Sequence, residues 1–128
     1  MSRQGGREVS AVEFEFDNER PIYMQLVQRL RVGIVSGELP PGSRLFSVRE
    51  LAVQARINPN TAQRALGELE EEGLLFTERT NGKFVTRDEA LIRREKEKLA
   101  RESLERFRRE LKGIGMTDEE IERLWEER

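Results

Sequence analysis

The chain contains no cysteine and no histidine. Disulfides, thiol chemistry, imidazole acid–base catalysis and the usual zinc sites are excluded together. Calcium or magnesium would have to rely on carboxylates, yet no D-x-[DN]-x-[DN]-G loop occurs and the acids are interleaved with Lys and Arg. No cofactor is therefore expected. No apolar run approaches the roughly 20 residues of a membrane span, and no secretory signal is evident, so the expected location is the cytoplasm, away from any membrane. Aromatic residues make up only 6% of the 128 residues, and hydrophobic ones 36% against 38% charged. Such a chain buries a modest core and keeps part of its length as solvated helix. A basic excess is also missing: 23 Lys and Arg face 25 Asp and Glu, a formal net charge of -2. The total argues against a nucleic-acid binder, but the distribution does not. Residues 51–67 hold no acid and include Arg56 and Arg64, whereas Glu68 and Glu70 to Glu72 follow together. Local charge decides docking, and the acidic end of such a helix can lie away from phosphates.

What is present is a series of start signals between Leu45 and Val85. Ser47-Val48-Arg49-Glu50 has the form of a capping box. Asn58-Pro59 pairs a good N-cap with proline at a first helical position, where its missing N–H costs nothing. Asn81-Gly82 suits a two-residue type I′ hairpin, whose central positions need positive φ. Between these signals, Val48, Leu51, Ala52 and Ala55 repeat as one helix face, and Ala62, Ala65, Leu66 and Leu69 as another. Residues 74–78 and 84–86 are short and β-prone. Helix, tight turn, helix and two-stranded wing predict a mainly α fold with a small β-hairpin: a winged helix-turn-helix.

Three segments are expected: a tail over residues 1–12, the winged module over 13–87 and a two-helix region over 88–128. Phe14-Glu15-Phe16 alternates, as a short strand or clasp would. Pro21 opens the first helix, with Ile22, Leu26, Leu30 and Ile34 as its stripe and Gly37 as its stop. Tyr23 reads as core with a polar tip, a phosphate contact being the alternative. Residues 39–43, with two prolines and a glycine, form a rigid corner. On the third helix, predicted from Pro59 to Glu72, Ala62, Leu66 and Leu69 centre the buried side. Asn60, Arg64 and Gly67 then lie opposite, flanked by Thr61 and Gln63. Asn and Gln can bond adenine bidentately, Arg suits guanine or phosphate, and Thr offers hydroxyl and methyl. Arg49 projects from the second helix, whose N-terminus at Ser47 faces the same way. Lys83 at the wing tip can neutralise phosphate.

Four blocks in order, Pro21-Ile22-Tyr23-Met24-Gln25, Gly37-Glu38-Leu39-Pro40-Pro41-Gly42, Leu45-Phe46-Ser47-Val48-Arg49-Glu50-Leu51-Ala52 and Asn58-Pro59-Asn60-Thr61, resemble the winged helix-turn-helix of GntR-family bacterial transcription regulators. The resemblance implies DNA contacts at Arg49, Asn60, Thr61, Gln63 and Arg64 and at the Asn81-Gly82 wing tip. Two departures stand out. Phe46 occupies the proline position of the family's Leu-Pro-Ser, which leaves the lead into the second helix less constrained. The wing lacks the first glycine and the threonine of Arg-Gly-x-Gly-Thr-Phe-Val. Most relatives carry a large effector-binding domain; the short region after this wing resembles the YtrA-type branch, whose two C-terminal helices dimerise.

The tail supports a helical hairpin by its own chemistry. Residues 89–112 are good helix formers with opposed charges at i, i+4, Gly113 and Gly115 break the helix, and Thr117-Asp118-Glu119-Glu120 is a second capping box stapled by Met116 and Ile121. Leu99, Phe107 and Leu111, with Ile121, Leu124 and Trp125, give an apolar edge too narrow to be a core, which a symmetry mate would cover. The expected function is a homodimeric, sequence-specific DNA-binding regulator, a repressor, that reads an inverted repeat and leaves room for an unidentified small-molecule effector. A winged-helix module for protein partners is the alternative. Catalysis by the Glu70 to Glu72 cluster is disfavoured without histidine, cysteine or a pocket-forming fold.

Overall fold

The computed structural model describes residues 12–79 and 82–128. In order these form α1 (Ile22–Ser36), α2 (Val48–Ala55), α3 (Pro59–Glu71), β1 (Leu75–Glu78), β2 (Gly82–Val85), α4 (Glu89–Gly113) and α5 (Asp118–Glu127). The chain divides into two compact units, one ending at Arg94 and one running from Glu95 to Arg128. Residues 1–11 of the expected tail lie outside the described residues, while Val12 is buried.

In the first unit, α1 turns Leu26, Leu30 and Ile34 fully inward, the stripe its spacing predicted. Pro21 (φ -55, ψ 138) caps this helix rather than opening it. Gly37 ends it at φ 89, its N–H donating to Ile34 O. Gly33 sits in the helix because the chain folds back against it: a Cβ there would lie 2.9 Å from Leu39 Cδ1. Both α1 and α2 pack on α3. The buried faces are Leu51, Ala52 and Ala55 on α2 and Ala62, Ala65, Leu66 and Leu69 on α3. The turn between them is made by Arg56 at φ 57, a left-handed conformation more often given to glycine.

Phe14-Glu15-Phe16 forms a clasp and no strand. The two rings stack at 6.1 Å, and Phe14 lies 6.1 Å from the fully buried ring of Phe46. The carboxamide of the buried Gln25 fixes the neighbouring backbone instead of a ladder: its Nε2 donates to Asp17 O and Arg20 O, and its Oε1 accepts the Asp17 N–H. The lead into α2 is thus anchored by packing of Phe46, not left loose.

The wing differs from expectation in its turn. β1 and β2 pair antiparallel with Leu75 opposite Val85, Phe76 opposite Phe84, Thr77 opposite Lys83 and Glu78 opposite Gly82. Gly82, at φ 94, therefore begins β2 rather than centring a two-residue turn. A two-residue Asn81-Gly82 turn would set Val85 against Glu78. The observed register sets it against the buried Leu75 and stacks Phe76 on Phe84 at 5.7 Å. Apolar pairing overrides local turn preference. The corner also contributes more than rigidity: Leu45 N–H donates to Lys83 O and Val85 N–H to Ser43 O, with Arg44 bridged to Phe84, so residues 43–45 add a short third edge to the hairpin.

In the second unit, the later part of α4 and α5 form a helical hairpin. Thr117 closes the predicted capping box with Glu120, Gly115 takes φ 97, and Arg108 pairs with Asp118 at 2.6 Å. Leu99, Leu111 and Ile121 are half-buried; Leu104, Phe107, Leu124 and Trp125 are exposed. Leu104, Phe107, Leu111, Ile121, Leu124 and Trp125 line an apolar groove of about 400 Å³. Among the described residues no helix is long and apolar enough to cross a membrane.

Candidate nucleic-acid interface

The N-termini of α2 and α3 are built by the signals that the sequence carries. Ser47 Oγ accepts the Glu50 N–H at 3.1 Å, and Glu50 Oε1 accepts the Ser47 N–H at 2.9 Å. That hydrogen bond from the Ser47 backbone, foremost, and Arg44 hold the Glu50 carboxyl below its usual range against partial burial. Arg44 Nη2 stands 3.4 Å from Glu50 Oε1, and a Cβ on Gly82 would come within 3.8 Å of Arg44 Nε. Arg44 thereby joins the N-terminus of α2 to the start of β2, bringing Ser47 and Gly82 into one neighbourhood. Sequence reasoning missed it, since a single arginine in a three-residue edge gives no periodic signal. At α3, Asn58 Oδ1 accepts the Asn60 N–H at 2.7 Å, with Pro59 following as first helical residue.

Arg49 is exposed on the first turn of α2. Asn60, Gln63 and Arg64 are exposed on α3, and Thr61 is half-buried beside them. Spacings of three and four residues put Asn60, Gln63 and Arg64 on one face. Arg64 does not extend freely: its guanidinium carbon lies 3.7 Å from the ring centroid of Tyr23 in α1. Tyr23 is neither plain core nor a lone phosphate contact but a platform. Asn81 lies outside the described residues.

Two acids at the end of α3, Glu70 and Glu72, are engaged within the protein. Glu70 accepts from the Thr77 hydroxyl and from Lys83 Nζ, and Lys83 Nζ also donates to Thr77 Oγ1 at 3.1 Å. Two of the three ammonium donors of Lys83 are so occupied. Glu72 takes both its oxygens to Arg31 Nη2 at 2.6–2.7 Å. These glutamates fasten α3 to the hairpin and to α1, and the polar face of the N-terminal half of α3, from Asn60 to Gly67, carries no acid. The Thr77 hydroxyl bond, then Lys83, holds the Glu70 carboxyl below its usual range against partial burial. A depressed folded pKa gives stability that is present above the unfolded value and lost as pH falls through the folded one. Glu70→Gln should accordingly lower stability near neutrality by up to about 1 kcal/mol, as a partly exposed pair allows, and flatten the acid limb. Urea midpoints of both proteins at neutral and acid pH check this; parallel pH profiles would refute it.

A helix-turn-helix whose second helix exposes a polar face free of acid over its N-terminal half, followed by a hairpin edged by a third short strand, is a winged helix-turn-helix reading head. The profile of bacterial regulatory proteins, gntR family, matches residues 22–85. The chain belongs to the GntR family of bacterial transcriptional regulators. It is 40% identical over 107 residues to the uncharacterized HTH-type transcriptional regulator YhcF of Bacillus subtilis (strain 168), covering 84% of this chain and 88% of that one. It is 37% identical over 75 residues to the HTH-type transcriptional repressor YtrA of the same organism, covering 59% and 58%. Among solved structures, a GntR family transcriptional regulator from Listeria monocytogenes superposes with a TM-score of 0.80 at 37% identity, over 88% of this chain and 99% of that one.

Proposed function

We propose that the chain is a repressor that binds an inverted-repeat operator as a homodimer. Its α3 enters the major groove by the N-terminal half, with Asn60, Thr61, Gln63 and Arg64 at base edges or adjoining phosphates. Arg49 and the helix N-termini fix the register on bases and phosphates, and the wing lies over flanking phosphates. The observation that carries this reading is the exposed, acid-free N-terminal half of the polar face of α3, with Glu70 and Glu72 beyond it drawn into internal pairs. Dimerisation is supported by the apolar face of the α4–α5 hairpin, where Phe107, Leu124 and Trp125 stay exposed. Repression is supported by the name of the relative YtrA. The proposed role is binding rather than catalysis, on DNA in the cytoplasm.

Salt separates this from the protein-partner alternative. Phosphate neutralisation releases counterions, so affinity for an operator duplex should fall by roughly a hundredfold or more between low and physiological salt. A nearly flat salt response would favour a protein partner. The groove of about 400 Å³ between α4 and α5 is within the size range of small-ligand sites, so we add an effector there as a lesser proposal; an unaltered DNA-binding curve across a metabolite screen would refute it.

A further inference from the structure

We infer that Tyr23 is a positioning residue for DNA contact, acting through Arg64; the inference rests on the DNA-binding reading above. The guanidinium carbon of Arg64 lies 3.7 Å from the centroid of the Tyr23 ring, inside the distance at which a cation is attracted to the ring face. A guanidinium held over a ring by its face keeps its in-plane N–H donors available, and these can meet a pair of acceptors. Guanine O6 and N7, or two phosphate oxygens, supply such a pair.

Three further observations favour a poised ligand contact over a purely internal tie. Arg64 is exposed and makes no ion pair among the described residues, whereas Arg29, Arg31 and Arg44 each hold a glutamate. It stands four residues after Asn60 and three after Thr61, on the face that the reading head presents. Its platform is also fixed. Tyr23 belongs to the first turn of α1, two residues before the buried Gln25, whose carboxamide holds the backbone of Asp17 and Arg20. A long arginine left free must be ordered when DNA binds; one already stacked is ordered beforehand, and affinity gains by the difference.

The test uses the full chain on its selected operator, with Tyr23→Leu, Tyr23→Phe, Arg64→Ala and the double variant Tyr23→Leu/Arg64→Ala. Tyr23→Leu should weaken binding by roughly 2- to 5-fold, the worth of an exposed cation–π contact. Tyr23→Phe, which keeps the ring face, should restore it. In the Arg64→Ala background, Tyr23→Leu should have no further effect on affinity. A change of base preference at one operator position would assign Arg64 to a guanine edge; uniform weakening with a shallower salt slope would assign it to phosphate. Either supports the inference. It is overturned when Tyr23→Leu binds as tightly as wild type, or when its loss persists in full without Arg64. Absence of DNA binding by the wild-type protein would instead sink the underlying DNA reading, and a changed melting temperature with unchanged affinity would reduce Tyr23 to packing.

Discussion

Replacing Phe46 by alanine should destabilise the winged unit by about 3–5 kcal/mol, the usual cost of emptying a phenylalanine from a core. Domains of this kind have only about 5–15 kcal/mol to lose, so the variant should stand near the edge of folding. Phe46 is fully buried and is the residue on which the N-terminal clasp closes, through Phe14. Its neighbours cannot easily collapse into the space. Leu45 on one side is also fully buried and tied by its N–H to Lys83 O, and Ser47 on the other is fixed by the capping box. Alanine would therefore leave a cavity and release Phe14 and Phe16 as well. Phe46→Leu keeps most of the apolar volume and should cost about 1–2 kcal/mol. Urea unfolding followed by circular dichroism measures both. A loss under about 1 kcal/mol for alanine would mean that Phe46 does not anchor the lead into α2.

The second large effect concerns the tail. Phe107→Asp with Trp125→Asp should turn a dimer into a monomer and lower affinity for a duplex with two half-sites by about 10²–10⁴, because the second reading head is no longer tethered. Binding to a single half-site should stay unchanged. Phe107 is 48% exposed and Trp125 58% exposed, so the aspartates leave the described contacts of the hairpin largely intact, and its helicity serves as the control. Each side chain buried against a second copy is worth on the order of 1.5–3 kcal/mol, enough for a few together to sustain a dimer. Sedimentation equilibrium reads the oligomeric state. A wild-type monomer, or equal operator affinity for both proteins, would overturn the homodimer.

The parts of this molecule legible in the sequence are those whose cause is local. A capping box needs only residues three apart, and both predicted boxes, at Ser47 and Thr117, are closed by the expected side chains. Helix faces repeat often enough within α1, α2 and α3 for their period to declare the buried side. Asn81-Gly82 is a strong local turn signal, but the register is decided across the hairpin by Leu75 with Val85 and Phe76 with Phe84. The third edge at residues 43–45 is too short to show alternation. The candidate site divides in the same way. Exposure of Arg49, Asn60, Gln63 and Arg64 follows from helix geometry and was readable. The stacking of Arg64 on Tyr23, the placement of Arg44 beside Gly82 and the capture of Lys83 by Glu70 join residues distant in sequence, and no local pattern announces them.

The most direct measurement of the central claim is selection from a random-duplex library by the purified protein, with Arg49→Ala carried in parallel. The account predicts an enriched inverted repeat with half-sites about one helical turn apart, or a multiple of it, and loss of that preference in the variant. A library that returns no enriched sequence, or the same palindrome with equal strength from Arg49→Ala, would contradict it.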